Sequence, residues 1–257
     1  MSRTRSAALS ALAALAVVSA APPALAQGTD EFGAYGGTER RGRFESPQQF
    51  AFEMRFGRYL PNVDDEFDGA TPFRDIFGDD MRFLVGVELD WQALRIPGFG
   101  SLGPGFGWGF TTMSAPAPLT NGTGFAEQET SLTIMPMYAV GVLRVDVLAQ
   151  EANIPLAGYA KLGVGVAPWW VGDGAETAHD DQGKIGRDIS YGWQYALGGM
   201  LLLDFFDPGA ALEIDNTIGV NNSYFFAEWY VSQLDGFGGG KMNVGTNTWM
   251  IGLCLEI

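Results

Sequence analysis

Hydrophobic and polar residues alternate along most of the chain, starting at Phe50-Ala51-Phe52-Glu53-Met54-Arg55-Phe56-Gly57-Arg58. The Phe and Met side chains of this segment share one face, whereas Glu53 and Arg55 lie on the other. A period of two residues is that of a β-strand whose faces meet different surroundings. The pattern therefore predicts a strand at 50–58, with Phe50, Phe52, Met54 and Phe56 toward lipid and the charges toward an interior.

The same period returns in seven further segments, of which the most regular is 81–93. Between 102 and 112 the large residues alternate with glycines, which predicts that glycine faces inward there. Pro136 interrupts the fourth segment and predicts a bulge, and Asn216 makes the seventh imperfect. The eight predicted strands are 50–58, 81–93, 102–112, 131–148, 157–171, 189–205, 211–231 and 243–257.

The predicted connections alternate in length around these strands. Long connections lie at 60–80, 115–129 and 172–188, and a Gly-rich loop lies at 234–240; short ones lie at 97–100, 151–155 and 207–209. Outer-membrane barrels have short periplasmic turns and longer extracellular loops. The chain is therefore predicted to be all-β, an eight-stranded antiparallel up-and-down transmembrane β-barrel with both termini in the periplasm.

A soluble eight-stranded barrel such as a lipocalin would alternate in the same way. Its water-facing side would be rich in Lys and Glu, but the second face here is mostly Gly, Ala and Thr with a few charges. This composition favours a crowded lumen and a lipid-facing apolar surface. Aromatic residues near the predicted strand ends indicate two interfacial girdles, made of Tyr59, Trp91, Trp108, Trp169, Trp170, Tyr191, Trp193, Trp229 and Tyr230.

The first 26 residues have the pattern of an export signal. Arg3 and Arg5 precede an apolar run at 7–21, and Ala24-Leu25-Ala26 supplies small residues before a cleavage point. The apolar run is shorter than the roughly 20 residues of a membrane anchor, so cleavage after Ala26 is predicted. Residues 27–46 are then a flexible periplasmic leader, and residues 47–257 form the barrel of an exported protein in the outer membrane of a Gram-negative bacterium.

The charge balance restricts the class of partner. The formal net charge is −15, and removal of the signal makes it still more negative, so nucleic acid is excluded as a partner. A single cysteine, Cys254, excludes an intrachain disulfide. Charged residues form only 18% of the chain against a typical value of about 25%, which suits a β protein that meets lipid.

Three short segments carry a resemblance to a known family. They are Glu39-Arg40-Arg41-Gly42-Arg43-Phe44-Glu45-Ser46-Pro47, Asp75-Ile76-Phe77-Gly78-Asp79-Asp80 and Gly103-Pro104-Gly105-Phe106-Gly107-Trp108-Gly109-Phe110. The chain resembles small outer-membrane β-barrel proteins of the broad class that includes the OmpX and OmpW families, and more narrowly an uncharacterised myxobacterial outer-membrane barrel family. The resemblance implies a fold and a location, but no activity. The chain ends in Ile257 rather than in the aromatic residue usual for barrel-assembly signals.

The candidate functional site is the polar face of the strands. Projecting it inward predicts a lumen network of Glu53, Arg55, Arg82, Glu88, Asp90, Gln92, Arg144, Asp146, Lys161, Gln194, Asp204, Glu213 and Asp215. Eight strands enclose a space just wide enough for side chains, so a paired plug is favoured. The alternative is a narrow porin-like channel for small solutes or apolar molecules, in which the excess of acids would favour cations.

An enzyme is the weakest hypothesis. The only histidine, His179, lies in an acidic loop where an Asp-His pair would be needed to activate water, and no second motif accompanies it. No cofactor or metal site is predicted, because the acidic loops lack the spacing of an EF-hand. The expected partners are outer-membrane lipid, lipopolysaccharide and the barrel-assembly machinery, and the expected state is a monomer with a structural or surface-interaction role.

Overall fold

The computed structural model describes residues 49–80, 82–118, 125–152, 154–173, 176–178, 183, 185–206, 209, 213, 217 and 219–257. All of them belong to one compact unit. The predicted signal, leader and His179 lie outside the described residues. Within the described residues, no helix has the length and apolarity that crossing a membrane requires.

The part of the chain that the structure describes includes eleven strand segments and two short helices. The helices are α1 (Pro72–Phe77) and α2 (Val147–Glu151), and a single 3-10 turn spans Val63–Glu66. The strands are β1 (Phe50–Tyr59), β2 (Arg82–Trp91), β3 (Leu94–Ile96), β4 (Gly100–Pro118), β5 (Phe125–Ile134), β6 (Met137–Val145), β7 (Leu156–Asp173), β8 (Glu176–Thr177), β9 (Arg187–Leu202), β10 (Asn222–Gln233) and β11 (Thr246–Glu256).

These segments form a closed barrel of eight strands. β5 and β6 are two halves of one barrel strand, β3 extends the hairpin between β2 and β4, and β8 pairs with β7. β1 pairs antiparallel with β2 on one side and with β11 on the other, which closes the sheet. The predicted all-β, eight-stranded antiparallel barrel is confirmed. We call the end that holds Phe50 and Ile257 the terminal end, and the opposite end the loop end.

The period of two assigns the two faces of the wall. In β1, Ala51, Glu53 and Arg55 are buried in the interior, while Phe50 points outward. Large apolar side chains cover the outside, among them Phe83 at 63% exposure and Trp249 at 67%. In water such a surface would be costly, whereas hydrocarbon solvates it without cost. The outward apolar face and the inward polar face are those that the alternation predicts.

Pro136 causes a gap rather than a bulge. Trp108 pairs with Met137 and Thr111 pairs with Ile134, so the register between neighbouring strands is the same on both sides of the proline. The N–H of Gly109 donates to the Pro136 carbonyl at 2.7 Å, which bridges the gap between the two halves. The predicted bulge is therefore wrong, because a proline carbonyl can still accept a hydrogen bond although the ring removes the donor.

The seventh barrel strand starts later than predicted. β10 begins at Asn222, and the described residues of 203–221 lie outside the strands. Residues 207 and 208 of the expected tight turn at 207–209 lie outside the described residues. The Asp204 carboxylate accepts hydrogen bonds from the backbone N–H of Ser223 at 3.2 Å and from its hydroxyl at 2.5 Å. This contact fixes the level at which β9 and β10 begin to pair.

Candidate functional site: the barrel lumen

A charged layer crosses the lumen at mid-height. Its side chains project inward because they occupy alternate positions of their strands, and no residue of this layer has more than 4% of its surface exposed. With every group ionised the layer holds three cations and five carboxylates. We use the name charged layer for Glu53, Arg55, Glu88, Asp90, Arg144, Lys161, Glu228 and Glu256.

Arg55 and Lys161 hold the middle of the charged layer together. The Arg55 guanidinium contacts the carboxylates of Glu88 and Glu228 directly, and its Nε lies 3.9 Å from Glu53 Oε2. The Lys161 ammonium lies 2.7 Å from Glu53 Oε2 and 2.6 Å from Glu88 Oε1. Glu53 and Glu88 are direct cross-strand partners, which would repel each other without these cations. Two cations thus compensate three buried carboxylates.

Arg144 extends the charged layer toward the terminal end. Its guanidinium contacts Glu256, and its Nη2 lies 3.8 Å from Asp90 Oδ2 and 3.9 Å from Glu53 Oε1. The Gln92 amide donates to Glu256 Oε1 at 2.7 Å. The ion pairs therefore form one connected network across the lumen rather than isolated pairs.

Tyrosine rings complete the layer around the cations. The Arg55 guanidinium carbon lies 5.4 Å from the ring centroid of Tyr138 and 5.6 Å from that of Tyr230. The Tyr138 hydroxyl donates to Glu88 Oε2 at 2.6 Å, and the Tyr159 hydroxyl donates to Glu228 Oε2 at 3.0 Å. A buried charge is tolerated when it is paired and hydrogen-bonded, and the rings supply both packing and donors.

Two glycines make space for these rings. A Cβ at Gly107 would collide with the ring of Tyr138, and a Cβ at Gly198 would collide with the ring of Tyr159. Both glycines face inward on strands next to the tyrosine concerned. The run of alternating glycines in β4 thus has a packing reason, in agreement with its predicted inward face.

Apolar layers lie on both sides of the charged layer. At the terminal end the layer consists of Ala51, Ala157, Tyr159, Met200, Tyr224, Phe226 and Cys254. The loop-end layer combines strand residues with Val63, Phe73, Leu234 and Val244 from the connections 60–81 and 234–245. Its other members are Tyr59, Leu84, Met113, Leu132, Ile134, Ala167, Ala196, Tyr230 and Met250. The Tyr59 hydroxyl donates to the Val244 carbonyl, which ties the last connection to the wall.

Several predicted lumen residues lie elsewhere. Arg82 is at the loop end, where its guanidinium donates to the carbonyls of Phe77 and Asp80 at 2.9 and 3.0 Å. Asp146 precedes α2 in the turn after β6, Asp204 binds Ser223 at the terminal end, and Glu213 is exposed outside the strands. Asp215 lies outside the described residues. All of these come from positions at or beyond strand ends, where the period of two no longer fixes the direction of a side chain.

Two acids of the layer are absent from the sequence-based set. Glu256 shares its face with Cys254 opposite the apolar residues of β11, so the strand period alone could have assigned it. Glu228 stands in Phe225-Phe226-Ala227-Glu228-Trp229-Tyr230, where aromatic residues occupy both faces and hide the period. Burial of Phe226 and Tyr230 inside the lumen explains this pattern.

The girdle prediction also needs correction at three positions. Tyr59 and Tyr230 point into the lumen and are fully buried, and Trp169 leans inward so that its Nε1 donates to the Ser190 hydroxyl at 3.2 Å. Odd-numbered residues of β1 and β7 face inward, and so do even-numbered residues of β10. Tyr59, Trp169 and Tyr230 all occupy such positions. The outward aromatic residues of the predicted set are Trp91, Trp108, Trp170, Tyr191, Trp193 and Trp229.

Carboxylate oxygens of Glu53, Glu88 and Asp90 lie within 4.8 Å of one another, a grouping among the described residues that could hold a metal ion. The Lys161 ammonium already lies against two of the three carboxylates. Arg55 and Arg144 supply further positive charge at the same place. The arrangement is therefore that of an ion-pair network.

No protein-family model matches the chain, and no curated protein matches it either. Among solved structures, the outer membrane protein OprG from Pseudomonas aeruginosa is similar, with a TM-score of 0.50 and 12% identity over 84% of this chain and 98% of its own length. Ail, the attachment invasion locus protein of Yersinia pestis, has a TM-score of 0.42 and 13% identity over 82% of this chain and 97% of that one. The outer membrane enzyme PagL has a TM-score of 0.36 and 11% identity over 80% and 99%. The likeness to OprG concerns the fold alone, and the fold of this chain is that of a small outer-membrane β-barrel.

Proposed function

We propose that this protein is a sealed, non-enzymatic barrel of the Gram-negative outer membrane, which acts as a structural and surface-interaction platform. In this proposal the loop end faces outward and the termini face the periplasm. The observation that carries the proposal is the charged layer, in which Arg55, Lys161 and Arg144 bridge inward carboxylates from opposite sides of the wall. An open pore needs an aqueous path, and these pairs occupy the centre of the lumen.

The layers on both sides support a sealed lumen. Val63 and Phe73 from the first connection pack with Leu234 and Val244 from the last one above the charges. An ion that entered from the loop end would first meet this apolar packing and then buried ion pairs. Opening the path would separate buried charges from their partners, which is strongly unfavourable in a low-dielectric interior. The barrel should therefore have very low permeability for ions and solutes.

The connections at the loop end are held against the wall, which suits a platform. The Asp64 carboxylate accepts from the backbone N–H groups of Phe73 and Arg74 at 2.7 and 3.2 Å, and the Glu66 carboxylate accepts from the N–H of Asn243. Acids in the first connection thus serve to shape it. In this proposal the platform is a monomer, inserted by the barrel-assembly machinery after cleavage behind Ala26, and its partners are membrane lipid and lipopolysaccharide.

Solute efflux from liposomes tests the sealed lumen. Refolded barrel in vesicles loaded with a small sugar should release it no faster than protein-free vesicles, while a known porin in the same lipid serves as the positive control. Release that grows with the amount of folded barrel and falls with solute size would overturn the proposal in favour of a narrow channel.

Two simple assays test the location. The protein should appear in the outer-membrane fraction with Gln27 as its first residue, and unheated and heated samples should migrate differently in a detergent gel. Recovery in the soluble periplasmic fraction, with one mobility in both samples, would contradict the membrane location and favour a soluble barrel.

A further inference from the structure

A groove interrupts the apolar outer wall across β4, β6, β7 and β9. Its volume is about 640 Å³, and it is lined almost wholly by apolar surface. Phe106, Trp108, Ala139, Val164 and Tyr191 line it from the strands, and Phe237 lines it from the last connection. Only a molecule that reaches the membrane-facing wall can enter this groove.

The cross-strand register explains the depression. Phe106, Ala139, Val164 and Trp193 form one row of outward-facing residues across four neighbouring barrel strands. Ala139 is the one small side chain in this row and lies between Phe106 and Val164. The large neighbours form the sides of the groove, and Ala139 forms its floor.

Phe237 closes one end of the groove in an unusual backbone conformation. Its φ is +58°, in the left-handed region that bulky residues rarely adopt. Its ring lies 5.6 Å from that of Tyr191 and 5.0 Å from that of Trp193, measured between centroids. The connection thus bends back over the outside of the wall and places an aromatic side chain against the lipid-facing surface of β9.

A cation stands above the groove on the same face of β9. The outward residues of this strand run from Arg187 through Ile189 to Tyr191, and Arg187 is exposed beside its cross-strand partner Trp170. Tyr191 lies four positions after Arg187 along the strand, about 13 Å away at about 3.3 Å per residue. A phosphate bound by Arg187 would therefore stand one headgroup above a chain that lies in the groove.

We propose that the groove binds one acyl chain of a lipopolysaccharide lipid A, whose phosphate is held by Arg187. Hydrocarbon matches the apolar lining, and the guanidinium matches a phosphate at the water interface. The position of Phe237 and Arg187 at the loop end selects the outer leaflet, so the inference rests on the proposed orientation of the barrel.

Native mass spectrometry of the refolded full barrel with one equivalent of hexa-acylated diphosphoryl lipid A tests the proposal. Wild type should retain one lipid per barrel. Ala139→Phe fills the floor of the groove and should lower the retained fraction about tenfold, equivalent to about 1.4 kcal/mol. Ala160→Phe is the matched control, because Ala160 faces outward between Leu143 and Leu197, outside the groove, and should retain lipid as wild type does.

A second set of measurements tests the contact between Arg187 and the lipid phosphate. Arg187→Gln should lower retention of diphosphoryl lipid A about fivefold and leave retention of the dephosphorylated lipid unchanged. Phe237→Ala, which opens one end of the groove from a connection, should also weaken retention and replaces Ala139→Phe if that variant does not fold. Equal retention by groove and control variants, or equal retention of phosphatidylethanolamine, would overturn the proposal. Solute efflux is measured separately, so a leaking lumen and a failed lipid site give different results.

Discussion

The charged layer and the loop-end layer fill the same lumen in different ways. In the charged layer, all eight members are side chains of barrel strands, and their partners are set by the register between those strands. In the loop-end layer, strand residues such as Leu84 and Met250 pack against Val63, Phe73, Leu234 and Val244 from the connections. The charged layer is held together by ion pairs and hydrogen bonds between specific partners. The loop-end layer is held together by hydrophobic contacts, which have no preferred direction.

The difference predicts different responses to mutation. Truncation of an apolar side chain in a packed layer costs a moderate amount of stability, because neighbouring side chains relax toward the cavity that it leaves. A buried charge that has lost its partner is not compensated in this way, since its neighbours cannot replace the lost interaction. The charged layer should therefore be the more sensitive of the two layers, although it contributes little net stability compared with an apolar filling of the same volume.

Loss of Arg55 should have the largest effect. Arg55→Met leaves the carboxylates of Glu88 and Glu228 short of a cation, which should lower the free energy of unfolding by about 3–5 kcal/mol. Urea unfolding in lipid vesicles, followed by tryptophan fluorescence, measures it. Arg82→Met is the matched control: Arg82 lies near the surface at the loop end, so the change should stay below about 1 kcal/mol. Equal effects of the two changes would contradict the comparison.

Truncation in the loop-end layer should have an intermediate effect. Leu234 is 1% exposed, and Leu234→Ala should cost about 2–3 kcal/mol through lost burial and the cavity that remains. Leu162→Ala, on the lipid-facing side of β7, leaves no cavity and loses only the transfer of the removed carbons from water into lipid, so it should cost less, about 1–2 kcal/mol. The same urea titration compares them. A larger cost for Leu234→Ala than for Arg55→Met would reverse the ranking of the layers.

A double variant separates pairing from packing. Glu228→Gln removes one carboxylate that Arg55 contacts, so adding it to Arg55→Met should cost less than the two single changes together by about 1–3 kcal/mol. Glu228→Gln with Leu234→Ala provides the matched cycle, because Leu234 belongs to the loop-end layer. Strict additivity in the first cycle would show that Arg55 acts by volume and not by charge.

The smallest effect concerns pH and the last connection. Slight burial opposes ionisation of Asp235, but hydrogen bonds from the Gly238 N–H at 3.0 Å and the Gln233 amide at 2.9 Å outweigh it and hold the pKa of the carboxyl below its usual value. Since the folded pKa is the lower one, this stabilisation is complete above the unfolded value of about 3.9 and is lost as the pH falls through the folded pKa.

Hydrogen exchange of the backbone amide of Gly238 measures this local change. Protection should be constant at neutral pH and fall in acid, after correction for the intrinsic rate. In Asp235→Asn the acid-dependent part should disappear. The same acid-dependent loss in the variant would assign it to another group.

The fold follows from the sequence more completely than the lumen does. A period of two over many residues identifies each strand and its inward face, and closure by β1 and β11 needs only an even strand number with a consistent register. The period does not give the strand limits: Asp204 and Glu213 share a period with neighbouring residues, yet neither belongs to a strand. Alternation within one segment identifies a strand, but it does not show where hydrogen bonding to the neighbouring strand stops.

The partners within the lumen depend on contacts between distant strands. Arg55 meets Glu228 from the seventh barrel strand, and the period of one strand says nothing about the residue on the opposite side. Glu228 itself is hidden among aromatic residues, since Phe226 and Tyr230 lie inside the barrel. The composition of the inward face was accessible from the sequence, whereas its pairing required the closed barrel.

Electrical recording from single refolded barrels in a planar lipid bilayer tests the sealed lumen most directly. Insertion is verified by the mobility difference between unheated and heated protein from the same preparation, and a porin run in parallel sets the sensitivity. Folded wild-type barrel should give no unitary current steps at any applied voltage that the bilayer withstands. Steady unitary steps whose number grows with the amount of inserted barrel would contradict it.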